Sequence, residues 1–216
     1  MGKISRSQSA DASARPRRRP VQDRSKATVT RLLDALGEYV TEHGFRSLNT
    51  NAIAAKAGVG VATLYAYFPD ILAMLEAYAD RSLAVWLDIW RRYPSFEPVD
   101  DWKNAYRRTF KITLAHARKD YAYVLIMNAY GLVPDFDECL QRIRQAHVSA
   151  AVEIYEHAGV DLPLERMVAV ARTVIDAGWA TVRHAARSDD EMLVEEYERL
   201  IISYMANYLP DDRSEG

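Results

Sequence analysis

Apolar positions recur at helical spacing along most of the chain. The first such segment spans residues 26–43 and ends before Gly44, which favours helix termination. One face of it carries the apolar side chains Val29, Leu32, Leu33, Leu36 and Val40. Nowhere does the strict alternation of apolar and polar residues that is typical of a strand persist. The pattern therefore predicts an all-α protein.

Two short helices follow this first helix. The second is predicted to start at Thr50 or Asn51, with polar side chains at 49–50 as its cap, and the third spans residues 61–68. Between them, Gly58 can adopt the left-handed conformation that ends a helix. Two short helices joined by a tight turn behind a supporting helix are the arrangement of a helix-turn-helix. From spacing alone, an ordinary three-helix bundle remains the alternative.

The remaining pattern predicts a larger helical domain. Asp70 is placed to cap a long helix from residue 71 to about residue 92. Further helices are predicted at 100–118, 120–130, 136–158, 164–187 and 190–209, which gives about nine in all. We therefore divide the chain into a disordered basic arm (1–23), a helix-turn-helix headpiece (24–70), a helical domain (71–210) and a disordered tail (211–216).

The net charge of −2 hides an uneven distribution of charge. Residues 1–26 carry a charge of +6, whereas the rest of the chain carries −8. The arm is rich in Ser, Ala, Pro and Arg and has few large apolar side chains, so it cannot offset the entropy cost of ordering. Its basic run Arg17, Arg18 and Arg19 fits either a DNA-binding arm or a solubilising tail.

The segment TNAIAAKAGVGVATLYAYFPD, residues 50–70, resembles the signature of the TetR (tetracycline-repressor-like) family of regulators. The resemblance extends over about residues 25–75. It implies a ligand-responsive transcriptional regulator, most often a repressor, that binds a (pseudo)palindromic DNA operator as a homodimer. The expected effect of a small molecule bound in the C-terminal domain is release of the protein from DNA. The residues themselves fit release from DNA or recruitment to it equally well. No cofactor is implied.

The resemblance also assigns roles to individual headpiece residues. It implies that four side chains face the bases: Val61, Ala62, Thr63 and Tyr65. It places Thr50 and Tyr67 on phosphates, with Asn51 near either. For the two tyrosines, half-buried packing is the alternative. The chain departs from the family at Ile71, where a phosphate-binding lysine is usual, and at Gly60, where a polar residue is common.

The resemblance further implies a pocket and a dimer interface in the larger domain. Eight residues are candidates for the pocket: Trp86, Trp90, Tyr106, Phe110, Tyr123, Met127, His147 and Trp179. Core packing is the competing explanation for each of them. The last two long helices would pair with their copies in a second subunit, where the small residues Ala177, Gly178 and Ala180 would permit close approach.

Two other classes of function were compared with this one. An enzyme is disfavoured because the five histidines are scattered and the single cysteine, Cys139, has no identifiable base; no metal site is expected. A helical small-molecule carrier or interaction module without a DNA role remains the alternative. No segment has the length of about 18 apolar residues that a membrane helix needs. Since a lone cysteine is typical of a reducing compartment, we expect a cytoplasmic protein without a membrane partner.

Overall fold

The computed structural model describes residues 19–92, 102–133, 135–188 and 190–209, with side chains from residue 24 onward. Within these ranges it consists of nine α-helices and a single 3-10 turn, Phe45–Ser47, without a strand. The all-α prediction with about nine helices is confirmed. None of the helices in the described ranges is long and apolar enough to cross a membrane.

The helices are numbered along the chain. Their bounds are α1 Arg19–His43, α2 Thr50–Lys56, α3 Val61–Tyr67, α4 Ile71–Arg91, α5 Trp102–Lys119, α6 Tyr121–Met127, α7 Asp137–His157, α8 Leu164–Ala185 and α9 Glu191–Met205. Below, α1 to α3 are called the headpiece and α4 to α9 the sensor domain.

The helix α1 begins earlier than the sequence pattern predicts. It starts at Arg19, so the expected boundary of the disordered arm at residue 23 is wrong. Pro20 explains the extension, because a proline in the first turn of a helix loses no hydrogen bond there and its fixed φ suits the helix. Arg17, Arg18 and the rest of the arm lie outside the described residues, as does the tail from residue 210.

Several sensor helices end before the predicted residue because a side chain takes over the helical hydrogen bonds. The α6 helix stops at Met127, where the amide of Asn128 donates to the carbonyl of Val124 at 2.8 Å. The α9 helix stops at Met205, and the side-chain amide of Asn207 donates to the backbone carbonyls of Ser203 and Tyr204. Such contacts satisfy acceptors that a helix end otherwise leaves to water.

The packing order connects the headpiece to the sensor domain. Helix α1 packs against α2, α4 and α6, so it belongs to both parts. In the sensor domain α4 packs on α7, α7 on α8, and α8 on α9, while α6 lies between α1 and α8. The buried apolar side chains form one continuous core through both parts. A shift of the sensor helices can therefore reach the headpiece through α1 and α4.

Candidate nucleic-acid interface and effector cavity

The α2–turn–α3 unit is fixed by its cap, its turn and its small core. As predicted, Asn49 caps α2, and its side-chain oxygen accepts from the backbone N–H groups of Asn51 at 3.0 Å and Ala52 at 3.2 Å. Gly58 has φ of 66°, the left-handed conformation expected for it. Behind α3, Ile53 and Leu64 are fully buried. The orientation of α3 is therefore set by the headpiece core.

The outward edge of α3 carries the residues that the resemblance assigns to DNA. Ala62, Thr63 and Tyr67 are exposed, and 49% of Tyr65 is accessible, while Val61 is partly buried against the core. Most other large apolar side chains of the described headpiece are buried or partly buried. Tyr67 is 36% accessible, so half-buried packing stays the alternative for both tyrosines.

A hydrogen bond joins the start of α2 to α3. The hydroxyl groups of Thr50 and Tyr65 lie 3.1 Å apart. The sequence interpretation separated these residues, with Thr50 on a phosphate and Tyr65 on bases, but the structure brings them together. Because one hydroxyl donates to the other, the pair keeps a single O–H donor for a further acceptor group. Asn51 is exposed beside them.

Lys56 at the end of α2 is tied to α1. Its ammonium group lies 2.9 Å from Glu42 and 3.1 Å from Glu38. The hydrogen bond that Lys56 donates to Glu42, followed by the one it donates to Glu38, raises the pKa of Lys56, and the contact with Lys56 lowers the pKa of Glu42. The positive charge of Lys56 is thus balanced locally, which leaves the headpiece with little net attraction for phosphate.

The start of α4 shows the effect of the two departures from the family pattern. Asp70 caps α4, and its carboxylate accepts from the N–H of Ala73 at 2.8 Å. Ile71 packs against the core and supplies no side-chain contact to a phosphate. Gly60 precedes α3 without a side-chain cap. The side-chain polar contacts of this surface therefore come from Thr50, Thr63 and the two tyrosines.

The sensor domain contains a cavity of about 180 Å³ between α5, α7, α8 and α9. Of the eight predicted pocket residues, four line it: Trp90, Tyr106, Phe110 and Trp179. The other four lie in the closed core beside it: Trp86, Tyr123, Met127 and His147. The prediction was wrong for these four because their rings and chains fill the interior, with Trp86 4.9 Å from Trp179 between ring centroids.

His147 is a core residue rather than a ligand contact. It is fully buried, and its Nε2 lies 3.0 Å from the hydroxyl of Tyr123. The rings of Trp90 and Trp179 enclose it at 4.7 and 5.3 Å between centroids. Burial, with a smaller contribution from Arg144, lowers the pKa of His147 to about 3, so the imidazole is neutral at ordinary pH.

Apart from Trp179, sequence reasoning missed the wall of the cavity that α8 and α9 supply. There the hydroxyl of Tyr106 donates to that of Tyr197 at 3.1 Å, and Tyr197 donates to the carbonyl of Val174. A Cβ on Gly178 would stand 2.9 Å from the Tyr197 hydroxyl. Gly178 therefore makes room for Tyr197 within the chain, and its role in a close approach between subunits stays a prediction.

Most of the apolar surface of α8 and α9 is covered within the chain. Val174, Ile175 and Tyr197 are buried. Three large apolar side chains of the two helices remain exposed: Leu164 (64%), Met192 (72%) and Leu200 (61%). Ala180 is also exposed, and Ala177 is half-buried. These side chains are the apolar surface that the two helices leave exposed.

The site thus has two parts: the exposed edge of α3 in a helix-turn-helix, and a cavity in the all-helical body. Residues 32–78 match the family model of bacterial regulatory proteins of the tetR family. The matched segment runs from α1 through the α2–turn–α3 unit into the first part of α4. A comparison with curated proteins yields no match.

Solved structures share the fold over nearly the whole chain. A TetR-family regulator from Streptomyces coelicolor has 22% identity and a TM-score of 0.65, covering 84% of this chain and 99% of its own. FadR of Thermus thermophilus, a TetR-family repressor in complex with lauroyl-CoA, has 21% identity and a TM-score of 0.57, with 87% and 99% covered. A regulator from Syntrophomonas wolfei, described as TetR-family, has 16% identity, a TM-score of 0.69, and 83% and 95% covered.

Proposed function

We propose that the protein is a transcriptional repressor that binds a (pseudo)palindromic operator as a homodimer and is released by a small molecule in the sensor cavity. The observation that carries this proposal is the polar and aromatic edge of α3, held outward by the buried Ile53 and Leu64. Such an edge has the dimensions of the element that helix-turn-helix proteins insert into the major groove. The function places the protein in the cytoplasm with the DNA.

Different side chains of α3 suit contacts to bases and contacts to phosphates. Val61 and Ala62 offer apolar contact to thymine methyl groups, and Thr63 offers a hydroxyl to a base edge. The hydroxyl of Tyr67 suits a phosphate oxygen. Since Thr50 and Tyr65 lie within hydrogen-bonding distance of each other, we assign both hydroxyls to the boundary between backbone and bases, with Asn51 beside them.

The exposed face of α8 and α9 supports a two-fold dimer. In an isologous interface each copy presents the same patch, here Leu164, Met192 and Leu200. Pairing through this patch would bring two copies of α3 to successive major grooves about 34 Å apart. Leu200→Glu should yield a monomer in size-exclusion chromatography with light scattering, whereas Leu132→Glu, at an exposed site outside the two helices, should leave the dimer intact.

The cavity supports control by an effector. Helix α4 begins beside the headpiece at Ile71 and carries Trp90 of the cavity wall near its other end. A ligand that favours one packing of this wall can move α4 and change the separation of the two recognition helices. By linkage, DNA would then weaken ligand binding to the same extent. The acyl-CoA in the Thermus thermophilus FadR structure shows that this fold accepts small molecules.

Selection of genomic fragments on purified protein tests the DNA-binding function. We expect enrichment of one inverted-repeat sequence, which a footprint should cover symmetrically. Thr63→Ala is the matched variant, because it removes one exposed hydroxyl of α3 and leaves the headpiece core unchanged. No preference for any fragment over a scrambled competitor would refute the proposal and favour a helical carrier without a DNA role.

A further inference from the structure

We infer that the sensor cavity takes a compact, uncharged aromatic molecule of one or two rings. The inference deepens the proposed function and rests on it, because the effector site of that function is the same cavity. It depends on three properties of the wall: its size, its rings and the chemistry of its polar atoms. None of these properties depends on which DNA sequence the headpiece recognises.

The size of the cavity sets the size of the ligand. An engineered apolar cavity of about 150 Å³ holds benzene. The cavity here measures about 180 Å³, which leaves room for a ring system slightly larger than benzene. A lauroyl chain has twice the carbon atoms of benzene and needs a longer space. The volume therefore favours a compact ligand over a lauroyl chain.

The wall favours a flat ring rather than a flexible chain. Phe110 and Tyr197 lie 4.7 Å apart between centroids, and the Tyr106 ring is parallel to that of Phe110 at 6.4 Å. On the other side Trp179 is fixed by Trp86 and Tyr123 in the core behind it. Fixed aromatic faces and edges interact best with another ring in a stacked or edge-to-face position.

The polar atoms of the wall favour a neutral ligand. The imidazole of His157 is the one basic group in the part of the lining that the structure describes, and its Nδ1 already contacts the carbonyl of Glu153 at 2.7 Å. The same part of the lining contains neither carboxylate nor ammonium nor guanidinium groups. A cationic ligand would lose its hydration there without gaining an ionic partner, and an anionic ligand would meet a single imidazole, which is unfavourable. The hydroxyl groups of Thr113, Tyr106 and Tyr197 instead suit one neutral hydrogen-bonding group, such as an indole N–H or a phenol.

Isothermal titration calorimetry on the full-length protein tests the inference with four probes: indole, tryptamine, indole-3-acetate and dodecanoate. The first three share one ring system and differ in charge. We expect indole to bind at least ten-fold more tightly than either charged analogue and than dodecanoate. Equal or tighter binding of tryptamine, indole-3-acetate or dodecanoate would overturn the inference, and so would a failure of indole to bind.

Substitutions within α5 locate the site. Ala105→Leu places a larger side chain in the cavity, and Ala115→Leu makes the same change on the exposed side of the same helix. Indole affinity should fall at least ten-fold in the first variant and stay unchanged in the second. Ala158→Leu fills the cavity from α7 and serves if Ala105→Leu does not fold. Full affinity in a folded filled variant would overturn the inference.

A DNA-binding assay with saturating indole separates this inference from the proposed function. Indole binding that the filled variants abolish supports the cavity assignment, whatever happens to DNA. If the bound protein keeps its full operator affinity, release by an occupant of the cavity is refuted while the ligand class stands. If only charged or long-chain probes bind and release DNA, the proposed function stands and the ligand class is refuted.

Discussion

The hydroxyl of Tyr78 on α4 donates a 2.5 Å hydrogen bond to the carboxylate of Asp120, the residue that caps α6. The Tyr78 ring also fills a notch in α1, where a Cβ on Gly37 would stand 2.7 Å from ring atoms. Burial, followed by the charge of Asp120, raises the pKa of Tyr78. This joint fixes α1, α4 and α6 relative to one another, so it connects the headpiece with the sensor domain.

Gly37→Ala should destabilise the protein, because the new methyl group meets a buried ring that its hydrogen bond holds in place. Overpacking of this kind costs about 1–3 kcal/mol. The midpoint of thermal unfolding should fall by about 2–4 °C for each kcal/mol. Gly60→Ala is the control, since a Cβ there meets nothing within 4 Å and φ is negative. Equal midpoints of unfolding for Gly37→Ala and Gly60→Ala would contradict the claim that the Tyr78 ring is held firmly against α1.

Tyr65→Phe should weaken operator binding by about ten-fold, because losing one partner of a hydrogen bond buried at the DNA interface costs about 1–3 kcal/mol. Fluorescence anisotropy with a labelled operator measures the loss. Tyr130→Phe removes a hydroxyl from an exposed tyrosine of the sensor domain and should bind normally.

The hydrogen bond between Thr50 and Tyr65 leads to a second prediction for the same assay. If the two hydroxyls act as a unit, Thr50→Val together with Tyr65→Phe should cost less than the sum of the single variants. Strictly additive losses would show that the 3.1 Å contact has no part in DNA binding.

His147 should make the folded protein sensitive to acid. Its pKa falls to about 3 on folding, from about 6.5 in an unfolded chain, so below pH 6.5 the unfolded state binds a proton that the folded state does not. The free energy of unfolding should therefore fall by about 1.4 kcal/mol per pH unit between about pH 6 and pH 3. Above pH 7 the residue contributes no pH dependence.

Urea unfolding of the wild type and of His147→Gln across this range isolates the contribution. The wild-type curve should be steeper than that of the variant, since the other titrating groups are common to both. His184→Gln, at an exposed site, should keep the wild-type slope. Parallel curves for His147→Gln and the wild type would mean that the buried imidazole takes up its proton without unfolding.

The basic arm should provide most of the salt dependence of DNA binding. Deletion of residues 1–18, which leaves α1 intact, should reduce the slope of log affinity against log salt concentration. Lys56→Gln should leave the slope unchanged, because its ammonium group already pairs with Glu42 and Glu38. The opposite pattern would assign the phosphate contacts to Lys56 and leave the arm as a solubilising tail.

The sequence was sufficient where structure is local. Asn49, Gly58 and Asp70 act through backbone groups within a few residues, and each was identified from its type and position. Helical periodicity likewise identified the buried face of the headpiece. Pro20 shows the limit of the same method, because a residue that breaks most helices here stands in the first turn of one.

Contacts between distant residues could not be predicted in the same way. Periodicity shows that Gly178 and Tyr197 lie on inward faces but not that one makes room for the other. The same ambiguity affected the aromatic residues, since Trp86 and Trp90 are one turn apart on α4 but lie in the core and at the cavity, respectively. Lys56 was equally uncertain until α1 brought Glu42 to it.

The aromatic lining has an optical consequence. All four tryptophans of the chain belong to the sensor domain, and Trp90, Trp102 and Trp179 border the cavity directly. Tryptophan emission of the unlabelled protein, excited selectively over tyrosine, therefore reports on the sensor domain and not on events confined to the headpiece. Binding of a ligand that quenches this emission can be followed in real time while the operator is still bound. A single stopped-flow trace then shows whether the ligand binds before the DNA leaves.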